Sequence, residues 1–453
     1  MESYHFQIQR YPSHRKRIIV PKHLYKGFQQ KMTLTYCTHT EEAEIMTHQK
    51  DEDTLYISHD LMNTLRLPED ETLSCFVDSG CILFQPLLGV YTAGFQDDDI
   101  QPIGDRTPVF ESMSITGQSY GFDTLFFGYQ HIDWVEQRIT GYVFHNGEWI
   151  MKRFPFPYVI YDRIPNRKVE HHPSVLDARE RLEHTSIMFN TGFFNKWKIY
   201  DQLRRTNDVS HYLPSTVLHP TKERFHDLLY QHRSLFIKPI HGSKGAGIKK
   251  CRVQEETSEI ECIFYDEDKE IHQRYQDLNK FFDQQFPNGF YGYIAQPEVP
   301  LKSLRSTPMD YRVHTNKNER NEWEVTAICM KFAGKGSLTT HVKRGGTIHT
   351  LDEMYGDRES QLIYHKLERV ALLISKALEK QVSGPLGEIG FDFGIDKEGK
   401  VWLFEANSKP GFAIYDHPTF LKEQSVILSY PFRYAKYFYV NTLYENTKAQ
   451  TPV

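Results

Sequence analysis

Residues 387–411, GEIGFDFGIDKEGKVWLFEANSKPG, carry two carboxylates and a carboxamide at a spacing that suits a divalent cation. Ile389, Phe391, Phe393 and Ile395 alternate with Gly390, Asp392 and Gly394, the period-two pattern of a strand. In the run that follows, Trp402, Phe404 and Ala406 are expected on one face, and Val401, Leu403, Glu405 and Asn407 on the other. Asp396-Lys397-Glu398-Gly399 is turn chemistry, so the two runs read as a hairpin. If Asp396 pairs with Val401, Asp392 falls opposite Glu405 and Asn407 opposite Gly390. Like charges directly opposed across a sheet repel, so such a pair implies a neutralising cation or a face open to water. Oxygen donors of this kind suit Mg²⁺ or Mn²⁺, hard ions that also bind phosphate oxygens. A solvated hairpin with coincidental acids is the alternative.

A second cluster lies upstream in SLFIKPIHGSKGAGIKK, residues 234–250, where Lys238 sits on a β-like run. A loop containing Gly242, Ser243, Gly245 and Gly247 then leads into another β-like run. Glycines let backbone N–H groups approach a phosphate chain, and a lysine adds charge. This is not a Walker A loop, because Ile248 stands where that motif requires Lys, and Gly245-Ala246-Gly247 lacks the third glycine of a dinucleotide fingerprint. A glycine-rich flap between strands fits, as does an ordinary basic hairpin turn.

The elements that must position these groups follow from periodicity. Strand-like runs are SLFIKPI, YGYIAQPEVP, DYRVHTNKN, WEVTAICMKF, GEIGFDFGID and KVWLFEAN. Helical spacing is expected over 268–286, through Ile271, Tyr275, Leu278, Phe281 and Phe282, and over 357–381, through Leu362, Ile363, Leu367, Val370 and Ile374. Residues 1–85 alternate short β runs with turns around one short helical pattern near Asp60–Leu65, which suggests a small β-rich, barrel-like module. Residues 86–190 read as an α/β unit, with a helix expected to begin within 114–129 and another from Ser174 toward Phe189.

With 453 residues, the chain is long enough for about three domains at ~150 residues each, and it needs no staple. The 54 Lys and Arg against 59 Asp and Glu, a net charge of −5, argue against a nucleic-acid binder or a polybasic membrane-surface protein. Six cysteines form no C-x-x-C pair, so a zinc ribbon or redox motif is not expected, and reduced buried thiols are. The amino terminus shows no signal-peptide pattern, and the charge-free stretch Ser79–Gln96 contains Pro86 and three glycines, which suits core strands rather than a membrane span. His171, His172, His219, His226 and His232 match no metal-binding spacing and are expected at the surface.

The order of these features (lysine strand, glycine flap, helix, strand ending Gln296-Pro297-Glu298-Val299, Asp-x-Arg strand, Asp…Glu-x-Asn hairpin) resembles the ATP-grasp superfamily. FNKWKIYDQL…LPST, YIAQPEVPL, DYRVH and the closing GEIGFDFGID…VWLFEANSKPG are similar to the YheC/YheD group of spore-forming bacteria, described as endospore coat-associated. The resemblance implies an α+β fold, two subdomains clasping ATP over 191–298 and 299–440, behind the β-rich module and a pre-grasp-like α/β unit, with a tail over 441–453. It implies Lys196 and Lys238 at the nucleotide phosphates, beneath the Gly242–Gly247 flap, although Lys196 also suits a solvent-facing charge on a helix over 195–205. Gln296, Glu298 and Val299 would border adenine, Arg312 would neutralise the transferred phosphoryl group, Arg344 would be the basic residue of a stretch near the acceptor site, and Asp392, Glu405 and Asn407 would hold Mg²⁺ or Mn²⁺. His341 and Lys331 stand where related chains carry Asn and Arg. The implied activity is ATP-dependent ligation of a carboxylate to an amine or thiol through an acyl phosphate, with the two substrates open and with coat proteins as further partners. A non-catalytic ATP-binding coat protein and a small-molecule phosphotransferase are the alternatives. Synthesis in the cytoplasm and later association with the spore coat are implied too.

Overall fold

The computed structural model describes residues 2–24, 31–50, 52–78, 80–240, 247–255, 257–266, 269–303, 309–332, 346–412, 417–422 and 424–448. Among these residues, seven strands between Glu2 and Phe84 close into a barrel. Alternate residues such as Phe6, Ile8, Leu55 and Ile57 fill its interior, and the helix His59–Leu65 packs Leu61, Met62 and Leu65 into the same core.

A seven-stranded mixed sheet follows. Its strands Asp123–Phe127, Leu87–Tyr91, Val159–Asp162 and Ile187–Phe189 lie side by side in that order and run parallel. The helix expected within 114–129 begins earlier and spans Thr107–Ser119, because Pro108 suits a first helical turn and Phe110 and Met113 add buried positions upstream. The helix expected to run from Ser174 toward Phe189 spans Pro173–Glu183. Ile187–Phe189 leaves it to pair with Val159–Tyr161, so strand pairing overrides the apolar helical spacing there.

The third sheet has six antiparallel strands, with Val217–Leu218, Tyr293–Pro297, Ser234–Pro239, Lys249–Val253, Ile260–Asp266 and Lys269–Tyr275 adjacent in that order. The helix expected over 268–286 is only Leu278–Gln285, begun by Asp277, whose side chain accepts from Asn279 N at 2.7 Å. Lys269–Tyr275 is instead the outer strand of a hairpin with Ile260–Asp266. Ile271 and Tyr275 are four apart, a spacing that satisfies both the strand and the helix period.

The fourth sheet has five antiparallel strands, ordered Thr347–His349, Trp323–Phe332, Met309–Lys317, Glu388–Ile395 and Val401–Asn407. The helix Asp357–Glu379 covers its back, with Ile363, Leu367, Val370, Ile374 and Leu378 turned inward. Asp357 and Glu359 stand in its first turn and Lys376 in its last, signs that complement the helix dipole. The helix Gln424–Lys448 returns to the α/β unit, where Phe432 and Tyr439 pack against Phe122 and the Tyr439 hydroxyl donates to Leu87 O at 2.8 Å. No helix among the described residues is long and apolar enough to cross a membrane.

Candidate nucleotide and metal site

The Glu388–Ile395/Val401–Asn407 hairpin sets the site, and its register differs from the uniform ladder expected from sequence. Asp396 N donates to Lys400 O at 3.0 Å, and the Asp396 carboxylate accepts from Lys400 N and Trp402 Nε1, both at 2.7 Å. Gly399, at φ +83°, closes this tight turn. Asp396 therefore faces Lys400, and Val401 pairs with Ile395 rather than with Asp396. Continued without interruption, that ladder would set Asp392 opposite Phe404. A bulge between the Phe393–Leu403 and Asp392–Glu405 pairs absorbs Phe404, restoring Asp392 opposite Glu405 and Asn407 opposite Gly390. The bulge also corrects the expected faces. Val401 and Leu403 lie in the core with Ala406, whereas Phe404 packs over Gly394, and Glu405 and Asn407 stay outside that core.

The opposed acids are neutralised by the chain's own cations. Asp392 Oδ1 lies 3.2 Å from Arg312 Nε and 2.8 Å from Lys331 Nζ, and Lys331 also reaches Asp310 Oδ1 at 3.1 Å. Asp310, Arg312 and His314 alternate along Met309–Lys317, so a single face carries all three. Burial by itself would raise the Asp392 carboxyl, but Arg312 and Lys331 outweigh it and hold the group well below the ordinary carboxylate range. Burial, with Arg312 alongside, pushes the His314 imidazole down to about 3, so it stays neutral near pH 7. Gly390 permits the arrangement: a Cβ there would sit 2.6 Å from Pro410 Cβ and 3.0 Å from Arg312 Nη1. Arg312 Nη1 is buried without a hydrogen-bond partner.

Lys196 and Lys238 complete the cluster from two other elements. Asn195 caps the helix Lys196–Arg204 by accepting from Lys198 N at 2.9 Å, which fixes Lys196 in the first turn. Lys196 Nζ stands 3.3 Å from Glu405 Oε2, so it faces the site rather than solvent. Lys238 donates to Gln296 Oε1 at 2.6 Å and lies 5.6 Å from the centre of the Phe404 ring. Burial, then the neighbouring Lys196, lowers its ammonium to about 8 against the opposing pull of Glu405 and Asp392. Gln296 Nε2 donates in turn to Thr216 Oγ1 at 3.0 Å. Glu298 pairs with Lys250 at 2.6 Å, and its backbone N–H donates to Ser234 O. Val299 O accepts from Leu301 N, and Lys302 N donates to Ile395 O, so this hinge ties the third sheet to the fourth.

The structure thus brings together Lys196, Lys238, Gln296, Arg312, Asp392 and Glu405 and sets Asn407 two residue pairs further along the hairpin. Glu298 and Val299 lie along the hinge, apart from the acids. Gly247, at φ +73°, leads into Lys249–Val253, while Gly242, Ser243, Gly245, His341 and Arg344 lie outside the described residues. Lys331 was visible in the sequence only as a departure from a pattern; here it is a direct partner of Asp392. Asp310 was legible through the Asp-x-Arg alternation. Among the described residues, no three His, Cys, Asp or Glu side chains form a metal-binding group. Asp392, Glu405 and Asn407 nevertheless supply the hard oxygen donors that a phosphate-bound Mg²⁺ or Mn²⁺ accepts. Four cations, Lys196, Lys238, Arg312 and Lys331, face the three acids Asp310, Asp392 and Glu405, an excess of positive charge that suits an anion.

A family model described as YheC/D-like ATP-grasp matches residues 186–438. The chain is 35% identical over 398 residues to the endospore coat-associated protein YheD of Bacillus subtilis (strain 168), an alignment covering 85% of this chain and 86% of that protein. It is 22% identical over 281 residues to the endospore coat-associated protein YheC of the same organism, covering 60% of this chain and 77% of that protein. Among solved structures it is similar to the VanG D-Ala:D-Ser ligase from Enterococcus faecalis, with a TM-score of 0.46, 12% identity, and coverage of 78% of this chain and 99% of that chain. The family model spans more than half of the sequence and the YheD alignment most of it, and on those two matches the chain belongs to the YheC/D-like ATP-grasp family.

Proposed function

We propose that this protein binds Mg·ATP between its third and fourth sheets and uses it to join a carboxylate to an amine or thiol. The supporting observation is the cluster in which Lys196, Lys238, Arg312 and Lys331 surround Asp392 and Glu405. Lys196 and Lys238 would hold the phosphates, Gln296, Glu298 and Val299 would border the base, and Arg312 and Lys331 would take up charge on the transferred phosphoryl group. Asp392, Glu405 and Asn407 would hold Mg²⁺ or Mn²⁺, which supplies charge neutralisation when bound. In the step this set suits, a substrate carboxylate oxygen bonds to the γ-phosphorus as the bond to the β–γ bridging oxygen breaks, releasing ADP. The amine or thiol then bonds to the acyl carbon, phosphate leaves, and the attacking group loses its proton. Positioning and charge compensation carry such a step, so no nucleophilic side chain is required.

The coat-associated relatives favour one second reading, a coat component that binds ATP during assembly without turning it over. Both readings place the mature protein at the spore coat and require nucleotide binding. At a hundredfold excess over its Kd, Mg·ATP should stabilise the fold by about 2.7 kcal/mol, and an unchanged melting curve in millimolar Mg·ATP would remove both. ADP release screened against amino acids, peptides and cell-wall fragments separates them. Release dependent on one of these acceptors establishes the ligase, and saturable binding with no release favours the assembly role.

A further inference from the structure

Open parallel sheets ordinarily bind ligands in the crevice beyond the carboxyl ends of their strands. In the α/β unit, part of that crevice is filled by the chain itself, at the base of the site hairpin. Asp162 ends the strand Val159–Asp162, and its Oδ1 lies 2.6 Å from Lys409 Nζ, two residues past Asn407. The next residue, Arg163, engages both sides of the hairpin: Nη1 reaches Glu388 Oε1 at 2.6 Å, while Nη2 donates to Pro410 O, beside Lys409, at 3.1 Å. Asn190, just past Ile187–Phe189 and held at φ +58°, bridges both strands as well. Its Oδ1 accepts from Gly387 N at 2.6 Å and Glu388 N at 3.1 Å, and its Nδ2 donates to Glu388 O at 2.8 Å and to Ser408 O.

These groups are shut away from water: Asp162 and Asn190 are 0% exposed and the Lys409 side chain 2%. Arg179 and Glu170 balance the charges, with Arg179 2.9 Å from Asp162 and 3.1 Å from Glu170. A buried, balanced ion network contributes little stability relative to apolar packing of the same volume, whereas its directed bonds fix geometry. Asn407 and Glu405 lie within four residues of the gripped segment, so their placement follows from it.

We infer that Asp162, Arg163 and Asn190 are positioning residues through which the α/β unit holds the two strands of the hairpin at the separation that divalent-ion-dependent nucleotide binding requires. The inference deepens the Mg·ATP reading and rests on it. Supporting contacts behind metal ligands typically matter by about 10–100-fold in metal affinity. The informative variant is the double substitution Asp162→Asn with Lys409→Met, which removes one charge of each sign and leaves Arg179 paired with Glu170.

Two readouts on the full chain test it. Amide hydrogen exchange without nucleotide should accelerate in peptides covering 386–410 and not in the barrel. Calorimetric titration with a non-hydrolysable ATP analogue should show the Mg²⁺ concentration for half-maximal binding raised about tenfold, with affinity in EDTA unchanged. Asn190→Ala should move both readouts the same way. Unchanged exchange over 386–410 in the double variant overturns the inference, as does a wild-type Mg²⁺ requirement. If the wild-type protein binds no Mg·nucleotide yet exchange accelerates as expected, the nucleotide reading fails and the mechanical grip stands.

Discussion

Asp392→Asn separates two physical pictures of the opposed acids. Were Asp392 and Glu405 an uncompensated like-charge pair, removing one charge would relieve repulsion and raise the melting temperature. The structure gives the opposite sign, because Asp392 is the counter-ion of Arg312 at 3.2 Å and Lys331 at 2.8 Å, and its side chain is only 15% exposed. Breaking a buried pair by neutralising one partner costs about 3–5 kcal/mol. Lys331 keeps Asp310 at 3.1 Å, and an asparagine oxygen still accepts one hydrogen bond, so the loss falls near the lower end, about 3 kcal/mol. For a domain of this size that corresponds to a melting temperature lower by roughly 6–12 °C. Glu405→Gln is the contrast: its partner Lys196 is 3.3 Å away, the pair is more exposed, and the loss is about 1 kcal/mol or less. Thermal unfolding by circular dichroism in EDTA, without nucleotide, measures both. An increase for Asp392→Asn, or equal shifts for the two variants, would refute the counter-ion assignment.

Lys238 makes nucleotide affinity pH-dependent. Its ammonium, lowered to about 8 by burial and by Lys196, is increasingly neutral in the free protein as pH rises from 7 to 9. Since phosphates bind the charged form, calorimetric affinity should fall by about tenfold per unit above 8. Lys238→Arg, always charged, should flatten the profile. Folding responds with the opposite sign. The unfolded chain keeps this proton up to 10.5, so the lysine's contribution to stability rises with pH between about 8 and 10.5. Gly390→Ala places a Cβ against Pro410 and Arg312 and should lower stability by about 1–3 kcal/mol in denaturant unfolding. Gly411→Ala, where a Cβ meets nothing within 4 Å, is its control.

Much of the site was legible because its chemistry is local. Glu405 and Asn407 share a face by strand alternation, Asp310 and Arg312 likewise, and tight turn residues mark where the hairpin reverses. The bulge was not legible, since Phe404 is an ordinary strand residue and only pairing to a fixed partner exposes the extra position. Lys269–Tyr275 was misread because its two large side chains fit either periodicity, and a partner strand decided between them. The grip of Asp162, Arg163 and Asn190 joins residues roughly 200–250 apart in sequence, and no local pattern encodes a bond between such distant segments.

The unpaired Phe404 makes the last strand a phase shifter. Before it, odd-numbered side chains feed the apolar interior; beyond it, the parity reverses, and odd numbers carry the polar functions. The bulged conformation at Phe404 is thus as binding as residue identity. A backbone that pleated Phe404 into an unbroken ladder would keep every letter of Glu-Ala-Asn yet bury its acid and amide in oil.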